Sequence, residues 1–221
     1  MRLLNGLLIL IVLLALALLF HLIPQTDLFV SDLFYDADSG FFLKDSLPAR
    51  VNYAVFLYMP HVAIPLMVWL FAASWYWGGR AESRVRRGIL FLLVVLLVGP
   101  GAIVNEVLKT SIGRARPAQV EEFGGTQHFT PAFAPSNQCA KNCSFVSGHA
   151  AMGFFFLALA WPLRDRRWLV YGGIIGGVVG LGRIVQGAHF LSDIVFAYVT
   201  VLLTAMVCAR LILGRWEIDP D

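Results

Sequence analysis

Three short clusters carry the chemistry this sequence offers. In one of them Asp193 follows His189 by four residues, with Arg183 just ahead. On a helix that spacing lays the carboxylate beside the imidazole. A carboxylate on one ring nitrogen fixes the tautomer and leaves the other nitrogen as nucleophile or base. Ser147, Gly148 and His149 form another cluster and open an apolar stretch. Gly148 lets the backbone approach a ligand closely, and the free amides of a helix N-terminus favour an anion. Taken alone, His149 suits a capping role equally well. The remaining cluster is Lys109, Arg114 and Arg116, closed by Pro117. Lys109 and Arg116 lie two helical turns apart, so they share a face if the helix reaches Arg116. Pro117 then discourages its continuation. By themselves two such cations fit lipid head groups as well as a substrate. Arg114 points to another face and is a secondary candidate for a phosphate or head-group contact. Asn105 and Glu106, a turn earlier, either orient Lys109 or serve helix packing.

Together the clusters supply cations, a helix N-terminus and two histidines, one of them oriented by a carboxylate. Phosphoryl transfer needs that inventory: a clamp on the equatorial oxygens, an in-line nucleophile and an acid for the leaving group. Asp193 opens an otherwise apolar stretch, and an unpaired carboxylate deep in a bilayer costs roughly 2.5–3.5 kcal/mol, which argues for a partner.

The elements that must hold these residues are membrane helices. Hydrophobic residues make up 58% of the 221, and charged ones only 14%. A soluble domain carries about 25% charged residues. Six apolar stretches fit spans of about 20 residues, at 3–23, 51–77, 88–108, 147–163, 168–187 and 190–213. The expected fold is therefore all-α: one membrane-embedded domain, residues 1–221, with six transmembrane helices in a bundle. The first stretch is longer than a signal-peptide core and lacks a small-residue cleavage site, so it reads as an uncleaved span. Residues 25–50 are too polar to cross. Their aromatics suit an interfacial segment after the first helix, or a loop packed on the helix ends.

Arg2, Arg80, Arg84, Arg86, Arg87, Arg164, Arg166, Arg167, Arg210 and Arg215 fall on one side under this topology, and Trp75, Trp77, Trp161, Trp168 and Trp216 mark its interface. The positive-inside rule makes that side, and both termini, cytoplasmic. The three chemical clusters then share the opposite, periplasmic face of a bacterial inner membrane. Gly172, Gly176 and Gly180, with Gly173 and Gly177 beside them, read as a helix-packing seam that fixes Arg183. With a formal charge of +3 and three cysteines, nothing points to nucleic acid or to a disulfide framework.

These motifs resemble the signature of the type 2 phosphatidic acid phosphatase superfamily. Its first part, Lys, six residues, Arg-Pro, is matched by Lys109 to Pro117. Its second, Pro-Ser-Gly-His, appears as Val146 to His149. Its third, Ser-Arg, five residues, His, three residues, Asp, appears as Gly182-Arg183 to Asp193. The departures, Val146 and Gly182, touch positioning rather than chemistry. The resemblance implies an enzyme that hydrolyses a lipid phosphate monoester. It implies His189 as nucleophile, Asp193 as its orienting group and His149 as acid and then base. Lys109, Arg116, Arg183, Ser147 and Gly148 would bind the phosphate, at roughly 1.5–3 kcal/mol per charge-assisted contact. No metal or other cofactor is implied; Glu121, Glu122 and Asp193 make no divalent-cation cage.

Residues 118–144, with Phe123, Phe129 and Phe133, are expected to roof the site and dip toward the head groups. Cys139 and Cys143 pair there only if the chain is a loop rather than a helix, and Cys208 reads as a buried thiol. The run around Phe129 to Ala132 and Gln138 to His149 is similar to bacterial lipid A phosphatases, particularly those acting at the 4′ position. Phosphatidylglycerol phosphate, phosphatidic acid and undecaprenyl pyrophosphate remain alternative substrates. A vanadate-dependent haloperoxidase and a non-enzymatic lipid-binding protein are more distant alternatives.

Overall fold

The computed structural model describes residues 2–76 and 80–218; Trp77 lies outside the described residues. Helix α1 (Arg2–Leu22) is almost wholly aliphatic. Pro24, which has no N–H to continue the ladder, stands at the bend into α2 (Gln25–Asp32), 73° off the first axis. A two-residue hairpin follows, β1 (Tyr35–Asp36) against β2 (Gly40–Phe41). Residues 25–50 therefore pack as a folded cap. Phe41 enters a small core with Ala115, Val120, Phe123 and Phe190, while Phe29 and Phe42 stay exposed.

Helix α3 (Leu47–Ala73) starts after Ser46 with a proline in its first turn, where a missing donor costs little. Helix α4 (Arg80–Leu96) continues into a wider-wound segment with i→i+5 bonding (Leu97–Leu108) and then into α5 (Lys109–Ile112). Gly113 stops it in a left-handed conformation, φ +65°. A side chain there would lie 2.1 Å from the Ser136 carbonyl oxygen, so the turn requires glycine. The helix thus ends before Arg116. Lys109 and Arg116 are brought together by this turn, and not by the shared helical face that their spacing suggests.

Helices α6 (Gly148–Phe154) and α7 (Ala160–Leu163), joined by a tighter turn at Phe155–Leu159, form one apolar rod. Helix α8 (Arg167–Ile184) crosses it along the glycine seam. A β-carbon on Gly172 would meet Leu157 at 2.2 Å, on Gly176 the Phe154 ring at 2.0 Å, and on Gly180 Ile194 at 2.4 Å. Gly173 and Gly177 face open space. Helix α9 (Leu191–Cys208), prolonged through Ala209–Leu213, buries Phe196, Ala197, Val201 and Ala205 against this centre.

The molecule is mostly helical. Among the described residues Leu47–Ala73, the Ser83–Gln119 rod and Leu191–Leu213 are long and apolar enough to cross a membrane; α1 with α2 makes a fourth if the bent pair is one span. The six expected spans exceed this count because the Gly148–Leu163 rod is short and α8 carries Arg167 and Arg183 among its apolar residues. At one end of the bundle Arg86 lies over Trp75, Trp161 donates to the Trp216 carbonyl and Arg166 to that of Ile218. The chemical clusters gather at the other.

Candidate active site

Each cluster reaches the site by a different local device. The turn of wide helix ahead of α5 delivers Asn105 and Lys109, and such segments recur at functional sites. The N-terminus of α6 presents Gly148 and His149. Ser147 caps it, its hydroxyl accepting from the Ala150 amide at 3.3 Å. Ser147 is fully buried, and its own amide donates to the Asp193 carbonyl oxygen, so it also ties α6 to α9.

His189 and Asp193 do not share a helical face. Helix α9 begins only at Leu191, and Asp193 folds back as its capping carboxylate, Oδ2 accepting from the Phe190 amide at 2.9 Å. The same oxygen lies 3.4 Å from His189 Nδ1, the outer limit of a hydrogen bond, and also accepts from Ser144 Oγ. Burial holds the His189 imidazole below its ordinary 6.5, to about 4, against the opposing pull of Asp193. It is therefore neutral at physiological pH, with Nδ1 toward Asp193.

Lys109 and Arg116 from one cluster and Arg183 from another come close enough to act on each other's charge, and Arg116 and Arg183 line one cavity. Asn142 organises the first two: its Oδ1 accepts from Lys109 Nζ at 3.0 Å, and its carbonyl accepts from Arg116 Nη2 at 2.7 Å. Asn142 lies in a loop that the Cys139–Cys143 disulfide closes. Arg183 donates to Gln186, whose amide in turn reaches the Lys44 and Ala49 carbonyls. Its guanidinium lies 4.8 Å over the Tyr53 ring, and Tyr53 stacks on His149 at 4.7 Å between centroids. A cavity of about 350 Å³ opens among Tyr53, Asn105, Lys109, Asn142, Gly148 and His149 and runs between α3 and α4 past Leu57, Pro60 and Leu96. His149 Nε2 is buried there without a protein partner, as is Arg183 Nε. Such unpaired groups are costly unless a ligand completes them.

Arg114 is placed elsewhere. It has no exposed surface; its guanidinium binds Asp27 and Asp193, each at 2.8 Å, and it is unavailable to a phosphate or head group. Asn105 lies by Gly148 and Lys109 but gives its amide to the Pro100 carbonyl. Glu106 is exposed. Phe123 and Phe129 pack inward, on Tyr35 and Phe190 respectively, and do not dip toward lipid. Among the described residues no group of three His, Cys, Asp or Glu side chains converges as a metal site. Cys208 is a buried free thiol.

Tyr53, Asp27, Asn142, Ser144 and Ser192 are the site residues the sequence did not disclose. Ser144 and Ser192 neighbour recognisable motifs, and Asn142 sits between two cysteines. Tyr53 and Asp27 carry no local signal at all.

The chain is 34% identical over 209 residues to a lipid A 4′-phosphatase of Francisella tularensis subsp. novicida (strain U112), covering 90% of this chain and 91% of the relative. It is 33% identical to a lipid A 4′-phosphatase of Rhizobium leguminosarum, over 86% and 88% respectively. A lipid A 1-phosphatase of Rhizobium johnstonii is 36% identical over 55% of this chain and 47% of its own. No solved structure gives a significant match. The model of the PAP2 superfamily matches residues 87–217, a stretch that includes Lys109, Arg116, Arg183, His149 and His189, and the chain belongs to that superfamily.

Proposed function

We propose that this protein is a lipid phosphate phosphatase that removes a phosphate monoester from lipid A through a phosphohistidine on His189. The observation that carries the reading is that Lys109 borders the cavity holding an unpartnered His149 Nε2 while Arg116 and Arg183 border a second cavity, Tyr53 lining both, with His189 backed by Asp193. His189 Nε2 forms a bond to phosphorus as the bond from phosphorus to the lipid oxygen breaks. Protonated His149 gives that oxygen its proton. The neutral His149 then takes a proton from water, whose oxygen attacks phosphorus, and His189 leaves as inorganic phosphate forms. The three cations hold the equatorial oxygens throughout.

Lipid A as substrate is supported by the printed activity of the relatives that align along most of the chain. A single six-span domain with cytoplasmic termini and a periplasmic site is supported by the arginine-rich end opposite the clamp. The decisive experiment is phosphate release from purified lipid A, phosphatidylglycerol phosphate, phosphatidic acid and undecaprenyl pyrophosphate. Lipid A should be hydrolysed fastest, and His189→Ala should release none and trap no acid-labile phosphoenzyme. Activity in His189→Ala sinks the mechanism. Preference for another lipid moves the substrate. For sidedness, Cys139 and Cys143 in a Cys208→Ser background should react with an impermeant thiol reagent after mild reduction of intact inner membranes.

A further inference from the structure

Asp27 lies outside every motif, on α2, and has no exposed surface. Its Oδ1 accepts from the Ser192 amide at 2.8 Å; its Oδ2 accepts from Arg114 Nη2 at 2.8 Å and from Ser192 Oγ. Arg114 Nη1 donates to Asp193 Oδ1 at 2.8 Å and to Ser192 Oγ at 2.8 Å. Each carboxylate has an N–H donor on both oxygens, Asp27 from the Ser192 amide and Arg114, Asp193 from Arg114 and the Phe190 amide, an arrangement that favours the ionised form. Burial raises the Asp27 carboxyl, and the Arg114 guanidinium opposes that rise. One guanidinium is thus shared between two carboxylates, and the trio carries a net negative charge beside His189.

We propose that Asp27 is a positioning residue for phosphoryl transfer: by engaging half of Arg114, it keeps Asp193 from being neutralised and so preserves the negative field behind His189. The inference rests on His189 as the nucleophile. When His189 Nε2 binds phosphorus and the lipid oxygen leaves with the proton from His149, the ring becomes cationic. An isolated Arg114–Asp193 pair would present little net charge to that ring. Adding Asp27 restores one unit of negative charge, in a buried setting where fields are weakly screened. The alternative, that Asp27 only fastens α2 to α9, predicts lost stability with no selective loss of chemistry.

The test compares the wild type, Asp27→Asn and Asp27→Asn/Arg114→Gln in detergent, reading kcat, KM and the single-turnover rate of phosphoenzyme formation. Asp27→Asn should slow phosphoenzyme formation and kcat about tenfold or more while KM stays within about twofold. Removing the excess cation in the double variant should recover much of that loss. A folded Asp27→Asn with unchanged kcat overturns the proposal, and so does a double variant no faster than the single. If Asp27→Asn fails to accumulate, the double variant decides, because it carries the same net negative charge behind His189 as the wild type. Phosphoenzyme formation in it supports the proposal, and a folded but inert double variant overturns it. Absence of a phosphoenzyme in the wild type would instead defeat the reading of His189 itself.

Discussion

Tyr53 lies flat on His149, with ring centroids 4.7 Å apart and planes 19° from parallel. The pair joins α3 to the N-terminus of α6 and fixes the histidine proposed to protonate the leaving oxygen. Tyr53→Ala should lower kcat about tenfold, the worth of one aromatic contact, and Tyr53→Phe should keep most of the rate. Steady-state kinetics of both variants check this; equal losses would show that the hydroxyl, and not the stack, matters.

Asn142 ties the Cys139–Cys143 loop to Lys109 and Arg116. Reducing the disulfide should free that loop and lower phosphate release about tenfold or more by loosening the clamp. The Cys139→Ser/Cys143→Ser variant should match the reduced enzyme and no longer respond to reductant. Cys208→Ser, buried away from the site, should respond as the wild type does.

The charge stabilisation assigned to Lys109, Arg116 and Arg183 makes a chelator irrelevant. EDTA should leave the rate with purified lipid unchanged, and Lys109→Ala should lower it about a hundredfold. A strict magnesium requirement would overturn that assignment.

The glycine seam predicts a contrast between neighbours. Gly176→Ala drives a methyl into the Phe154 ring, whereas Gly177→Ala meets nothing within 4 Å. Overpacking of this kind costs about 1–3 kcal/mol. Thermal unfolding in detergent should show a clear loss for Gly176→Ala and almost none for Gly177→Ala.

His189 should titrate near pH 4 rather than 6.5. Its folded value lies below the ordinary one, so the unfolded chain takes up the proton first as the pH falls between about 6.5 and 4. Acidification through that window therefore lowers stability, and His189→Ala should flatten the slope there. Histidine-labelled NMR, with the resonance assigned by His189→Ala, reads the value directly; a titration at 6.5 or above would contradict the burial of the ring.

The sequence by itself determined a mostly helical architecture with membrane-spanning helices, and it singled out Lys109, Arg116, Arg183, His149 and His189 as the groups with chemistry to offer. Long apolar runs, glycine spacing and local motifs are short-range signals, and they identify helices and chemical types before any helix is packed. Spacing alone misled where a helix boundary intervened: Gly113 ends α5 before Arg116, and α9 begins after His189, so both pairings depend on turns.

Only the tertiary structure decided what surrounds those residues. Arg114 reads from sequence as one more outer-face cation, yet 87 residues separate it from Asp27, whose carboxylate it binds. Tyr53 reads as one aromatic among many on an apolar helix until α3 packs against α6 and lays it on His149. Neither partnership leaves a periodic or local trace in the chain. Each exists because packing brings distant segments within hydrogen-bond or stacking range, where burial compels a charged or polar group to find a partner.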